Sequence, residues 1–289
     1  MPSGETSGQV SGIAPTFRVP EESCEHERTF MQWPANGNIH RNSGFLAALQ
    51  DCVAKIANSI SAFESVVMLM DGENAGAARR KLSARVEIWP IPTDDLWCRD
   101  SGPMFAVDGH GRMVVSQLRF NGWGGKQSCP NDSLIAARVA ERLGLPLIDS
   151  GLVGEAGGIE TDGEGTLLAH ESCWINPNRN RGTKSEINAR LLAAFGAQKI
   201  LWAPGIRGAD ITDSHIDALA RFVRPGCMLI QLPDRPDHRD KWSKVAHETE
   251  GLPRNHDHQL SHRVAEPATC HGGQPRIDSQ LVGWRTAQL

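Results

Sequence analysis

The architecture of this chain is set by "GGIETDGEGTLLAH" at residues 157–170, followed by "TKSEINARLLAAFG" at 183–196 and "KILWAP" at 199–204. Two β-rich runs flank the turn "DGEG", and this pattern predicts a hairpin. Residues 183–196 carry apolar side chains at helical spacing, with Ser185 or Thr183 as the N-terminal cap and a glycine at the end. The stretch therefore predicts two strands, a helix and a third strand, in that order.

A similar hairpin-and-helix unit occurs earlier in the chain. "GPMFAVDGHGRMVVSQLRF" at 102–120 predicts a hairpin that turns at "DGHG", and "NDSLIAARVAERLGL" at 131–145 predicts a capped helix. Further predicted elements are helices over 44–63 and 73–84 and strands over 65–70, 85–91 and 224–232. Because such units recur about every 60 to 70 residues, they indicate a repeated supersecondary structure. We therefore predict one α+β domain over residues 16–232.

Composition and charge argue against several classes of protein. The chain of 289 residues has a net charge of −4 and no basic stripe, which argues against nucleic acid as a partner. No apolar run approaches the length of a membrane span, so no membrane partner is predicted. The seven cysteines are scattered without a C-x-x-C pair, which favours reduced thiols in the cytoplasm. Residues 1–15 are polar, lack a signal pattern and predict a disordered N-terminal arm.

Residues 233–289 differ in composition from the rest of the chain. They contain six of the eleven histidines, many arginines and prolines, and few apolar residues in any regular period. This composition predicts a poorly ordered tail that adds little to a hydrophobic core. Histidine-rich tracts can bind metal, but these histidines lack ligand spacing.

Three polar clusters lie beside predicted turns. "LWCRDSGP" at 96–103 contains Trp97 and Asp100, and its simplest interpretation is a solvated turn with an Arg–Asp ion pair. "RFNGWGGKQ" surrounds Trp123 with glycines, which predicts an exposed tryptophan and a backbone that approaches another group closely. Glu155 in "GEAGGIETDGEGT" is most simply a surface residue. The functional alternative is that these loop side chains face one pocket.

The fourth cluster is "TDSHIDALARFV" at 212–223, where the apolar spacing predicts a helix capped by Thr212, Asp213 or Ser214. His215 would then lie in the first helical turn. The helix dipole accounts for an acidic residue there but not for a histidine. A metal site would need three or four ligands with a matching second shell, and no such spacing is present. We therefore predict neither a metal nor a cofactor.

Taken together and in this order, the clusters resemble the agmatine deiminase and bacterial-type peptidylarginine deiminase family. The matching motifs are "MQWP" at 31–34, "WCRDSGP", "FNGWGGK", "EAGGIETDGEGT", "NPNRN" at 176–180 and "TDSHIDALARFVRPG". The resemblance covers about residues 16–232. It implies a pentein fold, in which five blades of ββαβ type surround a central site. It also implies hydrolysis of a guanidinium to a ureido group with release of ammonia. With agmatine as substrate, the product is N-carbamoylputrescine, an intermediate of putrescine biosynthesis.

The resemblance also implies roles for individual residues. Asp100 and Asp217 hold the substrate guanidinium, and Trp97 and Trp123 are assigned to the same substrate site. His215 is the general acid and base, and Glu155 lies beside it. The nucleophile in this family is a cysteine near the C-terminus, in a G-G-G-x-[IV]-H-C context.

The chain departs from the family pattern at its C-terminal end. The G-G-G-x-[IV]-H-C motif is absent, and the nearest candidate nucleophile is Cys270 in "PATCHGGQP". No strand-like run precedes Cys270, which argues against this assignment. We expect the C-terminal blade to be missing or replaced, through truncation or a shifted reading frame. Ala156 and Ser214 stand where the family motifs have glycine.

Two functions remain open at this point. The first is an amidine hydrolase of the agmatine deiminase type that works through a Cys–His covalent mechanism. The second is an inactive relic that binds guanidinium compounds without a nucleophile. The motifs leave open whether the substrate is agmatine or a peptidyl-arginine. A homo-oligomer is compatible with the sequence, which does not fix the oligomeric state.

Overall fold

The computed structural model describes Ala14 and residues 16–231. The predicted arm over 1–15, apart from Ala14, lies outside the described residues. The predicted tail over 233–289, which contains Cys270, lies outside them as well.

The described elements follow one another as a series of strands interrupted by helices. The strands are β1 Phe17–Arg18, β2 Arg28–Gln32, β3 Ser65–Leu69, β4 Val86–Trp89, β5 Met104–Asp108, β6 Met113–Arg119, β7 Leu147–Val153, β8 Ile159–Thr161, β9 Thr166–His170, β10 Lys199–Ala203, β11 Ala220–Arg224 and β12 Cys227–Ile230. The helices are α1 Ser43–Ile60, α2 Ala75–Arg79, α3 Cys98–Ser101, α4 Gly122–Gly125, α5 Ile135–Leu143, α6 Glu171–Trp174 and α7 Lys184–Phe195. Single 3-10 turns occupy 72–74, 132–134, 156–158 and 216–218.

The strands form four separate sheets, with orders β2-β3-β4, β1-β5-β6-β7, β10-β9-β8 and β11-β12. In the second sheet, β5 and β6 are an antiparallel hairpin, and β7 returns through α5 to pair parallel with β6. In the third sheet, β8 and β9 are antiparallel, and β10 returns through α6 and α7 to pair parallel with β9. Two complete ββαβ units are therefore present, and the antiparallel pair β11-β12 has the form of the hairpin that opens such a unit. The predicted α+β class and its repeated ββαβ unit are confirmed.

Helix α7 begins and ends where local sequence signals predict. Thr183 caps α7 through a reciprocal capping box with Glu186, and Gly196 ends the helix in the left-handed conformation at φ 64°. The inward face of α7, which includes Ile187 and Leu191, joins the core cluster that also contains residues of β7 and β9. The helix predicted over 73–84 is shorter in the structure, where α2 spans only Ala75–Arg79.

The predicted helix over 212–223 is wrong. The chain forms a 3-10 turn at 216–218 and then enters strand β11, which pairs antiparallel with β12. Ala220 and Phe222 are buried, whereas Arg221 and Val223 between and after them are not. This alternation has the period of a strand, and over so few residues it also fits a helical spacing. Pairing with β12, which follows after the two-residue turn at 225–226, decides the conformation.

The connections between consecutive sheets share one location in the repeat. α3 links the first sheet to the second, the turn at 156–158 links the second to the third, and the turn at 216–218 links the third to the fourth. These three connections contact one another in space. Equivalent points of successive units therefore meet, and side chains placed there converge.

No helix among residues 16–231 is long and apolar enough to cross a membrane.

Candidate active site

Four of the predicted site residues converge where the three connections meet. Asp100 lies in α3, Glu155 precedes the turn at 156–158, and His215 and Asp217 lie at the turn 216–218. The imidazole Nδ1 of His215 lies 3.7 Å from Asp100 Oδ1, and its Nε2 lies 3.4 Å from Glu155 Oε2. The tertiary structure thus places one imidazole between two carboxylates that are 55 residues apart in sequence.

Gly157 lies beneath this convergence. A Cβ added to Gly157 would come within 2.5 Å of His215 Nδ1, 2.6 Å of Asp100 Oδ1 and 3.1 Å of Asp217 Oδ2. Three functional atoms therefore surround a space that only a glycine leaves open. The sequence marks this glycine only as part of the E-A-G-G segment.

The Asp100 carboxylate is buried and oriented by two donors. The indole Nε1–H of Trp123 donates to Oδ2 across 3.0 Å, and the backbone N–H of Gly157 donates to Oδ1 across 3.2 Å. Burial raises the pKa of Asp100 to about 6; His215 opposes the rise, and the charge of Asp217 adds to it. A buried carboxylate in this state gains from the arrival of a cation.

His215 lies between two carboxylates: its Nε2 is within hydrogen-bond distance of Glu155, and its Nδ1 faces Asp100. Burial disfavours the charged imidazole, but the Asp100 carboxylate and contacts with Cys173 and Glu155 outweigh it, so the pKa of His215 is raised well above its usual value. The imidazole is therefore in its charged, doubly protonated form near neutral pH. A substrate cation that neutralises the neighbouring carboxylates would lower the pKa of His215, so that His215 could release a proton as a general acid.

Glu155 is fully buried, so its interpretation as a surface residue is wrong. The Nε–H of Arg179 donates to both Glu155 oxygens, at 3.0 Å and 2.9 Å, and the thiol of Cys173 lies 3.7 Å from Oε2. Arg179 comes from "NPNRN" and is itself buried. The motif therefore supplies the counter-ion that keeps a buried glutamate beside His215.

The segment before His215 has an unusual backbone. Asp213 and Ser214 both adopt positive φ, at 63° and 71°. Non-glycine residues adopt this conformation at a cost, and a glycine before the histidine would avoid it. Asp213 is not a helix cap: its carboxylate binds Arg179 Nη1 at 2.8 Å and Lys126 Nζ at 2.8 Å. These ion pairs hold the strained segment that presents His215.

The two tryptophans differ from expectation. Trp123 is buried rather than exposed, and it adopts φ 55° between two glycines of positive φ. A Cβ at Gly124 would meet the Asn178 amide nitrogen at 2.3 Å, so the loops that contain these residues are in close contact. Trp97 is 48% exposed, and its carbonyl accepts the N–H of Asp100 at 3.1 Å. The substrate contact of Trp97 stays a prediction.

Arg99 was predicted to lie in a solvated turn and pair with Asp100, and this is wrong. Its buried guanidinium donates to Glu160 Oε1 at 2.7 Å and to Glu22 Oε1 at 3.0 Å, and its Nε lies 3.1 Å from Asp217 Oδ2. Arg99 therefore contacts Asp217 rather than Asp100. Glu160 could have been suspected from its place in a short strand, since a glutamate there must find a partner when buried.

Cys173 and Arg179 are further site residues that sequence reasoning did not identify. Burial raises the pKa of the Cys173 thiol, although His215 opposes the rise, so this thiol is protonated beside the imidazole. One donor atom from each of Glu155, Cys173 and His215 lies within 4.8 Å of the others, the only such group found among residues 16–231. These three could hold a cation, but Arg179 already binds both oxygens of Glu155.

Comparison with known proteins indicates one family. The chain is 35% identical over 232 residues to a Streptomyces coelicolor protein that carries the provisional name agmatine deiminase, covering 78% of this chain and 68% of that protein. It is 33% identical to the agmatine deiminase of Medicago truncatula, covering 75% of this chain and 62% of that protein. The chain thus spans about two thirds of the length of these relatives.

Solved structures show the same fold. The agmatine deiminase of Enterococcus faecalis superposes with a TM-score of 0.72 at 25% identity, covering 81% of this chain and 65% of that one. A C. jejuni agmatine deiminase variant with substrate bound superposes with a TM-score of 0.71, also at 25% identity, covering 81% of this chain and 70% of that one. These matches confirm the predicted pentein-type architecture.

The family assignment follows from the match to a whole-family profile. The profile described as Porphyromonas-type peptidyl-arginine deiminase matches residues 18–275. This range includes all four of the converging site residues and most of the chain. The sequence motifs, the repeated ββαβ units and the converging site therefore have one explanation: the chain belongs to the Porphyromonas-type peptidyl-arginine deiminase family.

Proposed function

We propose that this site binds the guanidinium of agmatine and serves its hydrolysis to N-carbamoylputrescine and ammonia. The observation that carries the proposal is the convergence of Asp100, Asp217 and His215 over the open face of Gly157. A guanidinium is a planar cation with N–H donors in a fixed fork. Two carboxylates at one site bind such a group through paired, charge-assisted hydrogen bonds.

The side chains divide the chemistry between them. Asp100 and Asp217 hold the guanidinium, and a cysteine thiolate attacks its central carbon. His215 donates its proton as the C–N bond breaks and ammonia leaves, which produces a covalent amidino adduct on the cysteine sulfur, an S-alkylthiouronium cation. The neutral imidazole then takes a proton from water, and the hydroxide attacks the same carbon. The thiolate leaves, and the added hydroxyl gives its proton to the released ammonia as the ureido carbonyl forms. Glu155 holds the imidazole and stabilises its charged form.

The nucleophile separates this proposal from a second one. The sequence lacks G-G-G-x-[IV]-H-C, and Cys270 is the nearest thiol to that pattern. This observation favours an alternative function, in which the chain binds guanidinium compounds without turnover. In both cases the proposed location is the cytoplasm, and the proposed ligand is a small guanidino compound or an arginine side chain.

Formation of ureido product from agmatine separates the two proposals, and a colorimetric assay for ureido groups measures it directly. Turnover supports the hydrolase. Binding of agmatine without turnover supports the alternative, in which the family's nucleophile motif is missing. If turnover occurs, Cys270→Ala decides whether Cys270 is the nucleophile, because activity that survives the substitution would exclude it.

Binding is expected whether or not turnover occurs. Agmatine at millimolar concentration should raise the melting temperature, because a ligand that binds only the folded state stabilises it. Putrescine is the matched control, since it has the amine but no guanidinium. An equal shift with both ligands, or no shift with agmatine, would exclude an assembled guanidinium site.

Agmatine affinity should fall as the pH is lowered through about 6. The pKa of Asp100 is raised to about 6 by burial, so Asp100 becomes protonated below that pH and loses its charge. A cation that needs the ionised form then binds about tenfold more weakly for each further pH unit. His215 stays charged in this range because its pKa is raised well above its usual value. Isothermal titration calorimetry between pH 5 and 8 measures the agmatine dissociation constant, which should rise roughly tenfold for each pH unit below about 6. Asp100→Asn should remove this pH dependence along with most of the affinity.

A further inference from the structure

We infer that Arg99 is a positioning residue that fixes Asp217 for the substrate guanidinium, and that a closed ring of opposite charges holds Arg99 in place. The ring consists of Glu22, Arg99, Glu160 and Arg221 and is called the charge ring below. The inference rests on the proposed function, because it assigns a way of orienting one of the two carboxylates proposed to bind the guanidinium.

The charge ring closes through alternating contacts. Arg99 donates from Nη1 to Glu22 at 3.0 Å and from Nη2 to Glu160 at 2.7 Å. Arg221 lies with Nε 2.8 Å from Glu160 Oε1 and contacts Glu22 through Nη2. Each arginine thus lies between the same two glutamates, and each glutamate lies between the same two arginines.

The geometry leaves one nitrogen of Arg99 for Asp217. With Nη1 and Nη2 bound in the ring, Nε lies 3.1 Å from Asp217 Oδ2. A guanidinium is rigid and planar, so two fixed nitrogens determine the position of the third. The side chains of Arg99, Glu160 and Glu22 are 10%, 4% and 20% exposed, which limits their alternatives to water.

The ring joins parts of the chain that are remote in sequence. Glu22 precedes β2, Arg99 lies in α3, Glu160 lies in β8 and Arg221 lies in β11. Each of these segments belongs to a different part of the repeated architecture. Asp217 lies in a short turn of three residues and has no regular helix to orient it. A binding carboxylate that is fixed before substrate arrives avoids an ordering cost at binding.

Burial raises the pKa of Glu160 to about 8; Arg99 opposes the rise, and the charge of Asp217 adds to it. Protonation of Glu160 would leave Glu22 and Asp217 as the anionic partners of Arg99. The contact between Arg99 and Asp217 is therefore favoured whether Glu160 is protonated or ionised.

A double-mutant cycle on agmatine binding tests the inference. The variants are Arg99→Lys, Asp217→Asn and the double variant, with dissociation constants measured by titration calorimetry. Lysine keeps the charge but loses the rigid fork, so we expect Arg99→Lys to weaken binding about tenfold. We expect Asp217→Asn to weaken it about a hundredfold. The double variant should bind no more weakly than Asp217→Asn alone, because Arg99 acts through Asp217.

Effects that multiply in the double variant would overturn the inference, because Arg99 would then act independently of Asp217. Arg119→Lys is the matched control: Arg119 pairs with Asp149 at the surface and should leave agmatine affinity unchanged. If Arg99→Lys does not fold, Glu22→Ala, which removes the anionic partner of Arg99 Nη1, takes its place in the same cycle with the same criterion. Wild-type protein that does not bind agmatine would overturn the proposed function and this inference together; wild-type binding with multiplicative effects would overturn the inference alone.

Discussion

Replacing Gly157 by alanine is expected to weaken agmatine binding about a hundredfold and leave the protein folded. The added methyl group would lie 2.5 Å from His215 Nδ1 and 2.6 Å from Asp100 Oδ1, closer than atoms can approach without a shift. It would also lie 3.1 Å from Asp217 Oδ2, so it would enter the space that the two carboxylates share. Displacement of binding groups by about 1 Å costs on the order of a hundredfold in function.

The fold should survive because the new contacts are with side-chain ends and not with backbone. Gly157 does not have positive φ, so alanine is compatible with its conformation. The measurement is agmatine affinity by calorimetry beside the melting temperature without ligand. Gly76→Ala is the matched control, since a Cβ there meets nothing within 4 Å. The expected loss of affinity is roughly hundredfold. If Gly157→Ala instead binds agmatine within about threefold of wild type, the substrate lies elsewhere.

Replacing Arg179 by methionine is expected to cause the largest loss of stability. The Arg179 side chain is fully buried between the equally buried Glu155 and Asp213. Methionine fills much of the volume but leaves the buried Glu155 without its arginine and leaves Asp213 with Lys126 as its remaining cation. Removing one partner of a buried ion pair costs about 3–5 kcal/mol, mostly from the charge left behind.

Urea denaturation measures the free energy of unfolding of this variant against wild type. Arg119→Met removes the arginine of an exposed pair with Asp149 and should cost less than about 1 kcal/mol, because surface ion pairs are screened by water. The comparison therefore separates burial from the loss of an arginine. Equal losses in the two variants would contradict the assignment of Arg179 as the central counter-ion of the site.

Part of the site could be predicted from motifs, and part could not. Asp100, Glu155, His215 and Asp217 were each identified, and the structure brings them together at the connections between successive sheets. Their surroundings were described wrongly: Glu155 is buried, Trp123 is buried, and Arg99 pairs with Glu160, Glu22 and Asp217 instead of Asp100. A motif records which residues are present, whereas burial depends on segments that are distant in sequence.

The fold shows the same division. The capped helix α7, the hairpin around "DGEG" and the repeat of hairpin and helix follow from spacing, caps and turn residues within short windows. The segment 212–223 does not: its apolar spacing fits a helix, yet it forms a turn and a strand. Local pattern was ambiguous there, and the antiparallel partner β12 decided the outcome.

The sequence by itself therefore determined the repeating unit, the family resemblance and which side chains are candidates for binding and acid–base chemistry, because each follows from motifs within short windows of the chain. Only the tertiary structure decided that Gly157 lies beneath Asp100, His215 and Asp217, that Arg179 pairs with Glu155, and that the charge ring places Arg99 against Asp217. Each of these depends on contacts between separate elements of the fold. Such contacts form when the sheets pack, and no local periodicity, cap or turn signal encodes them.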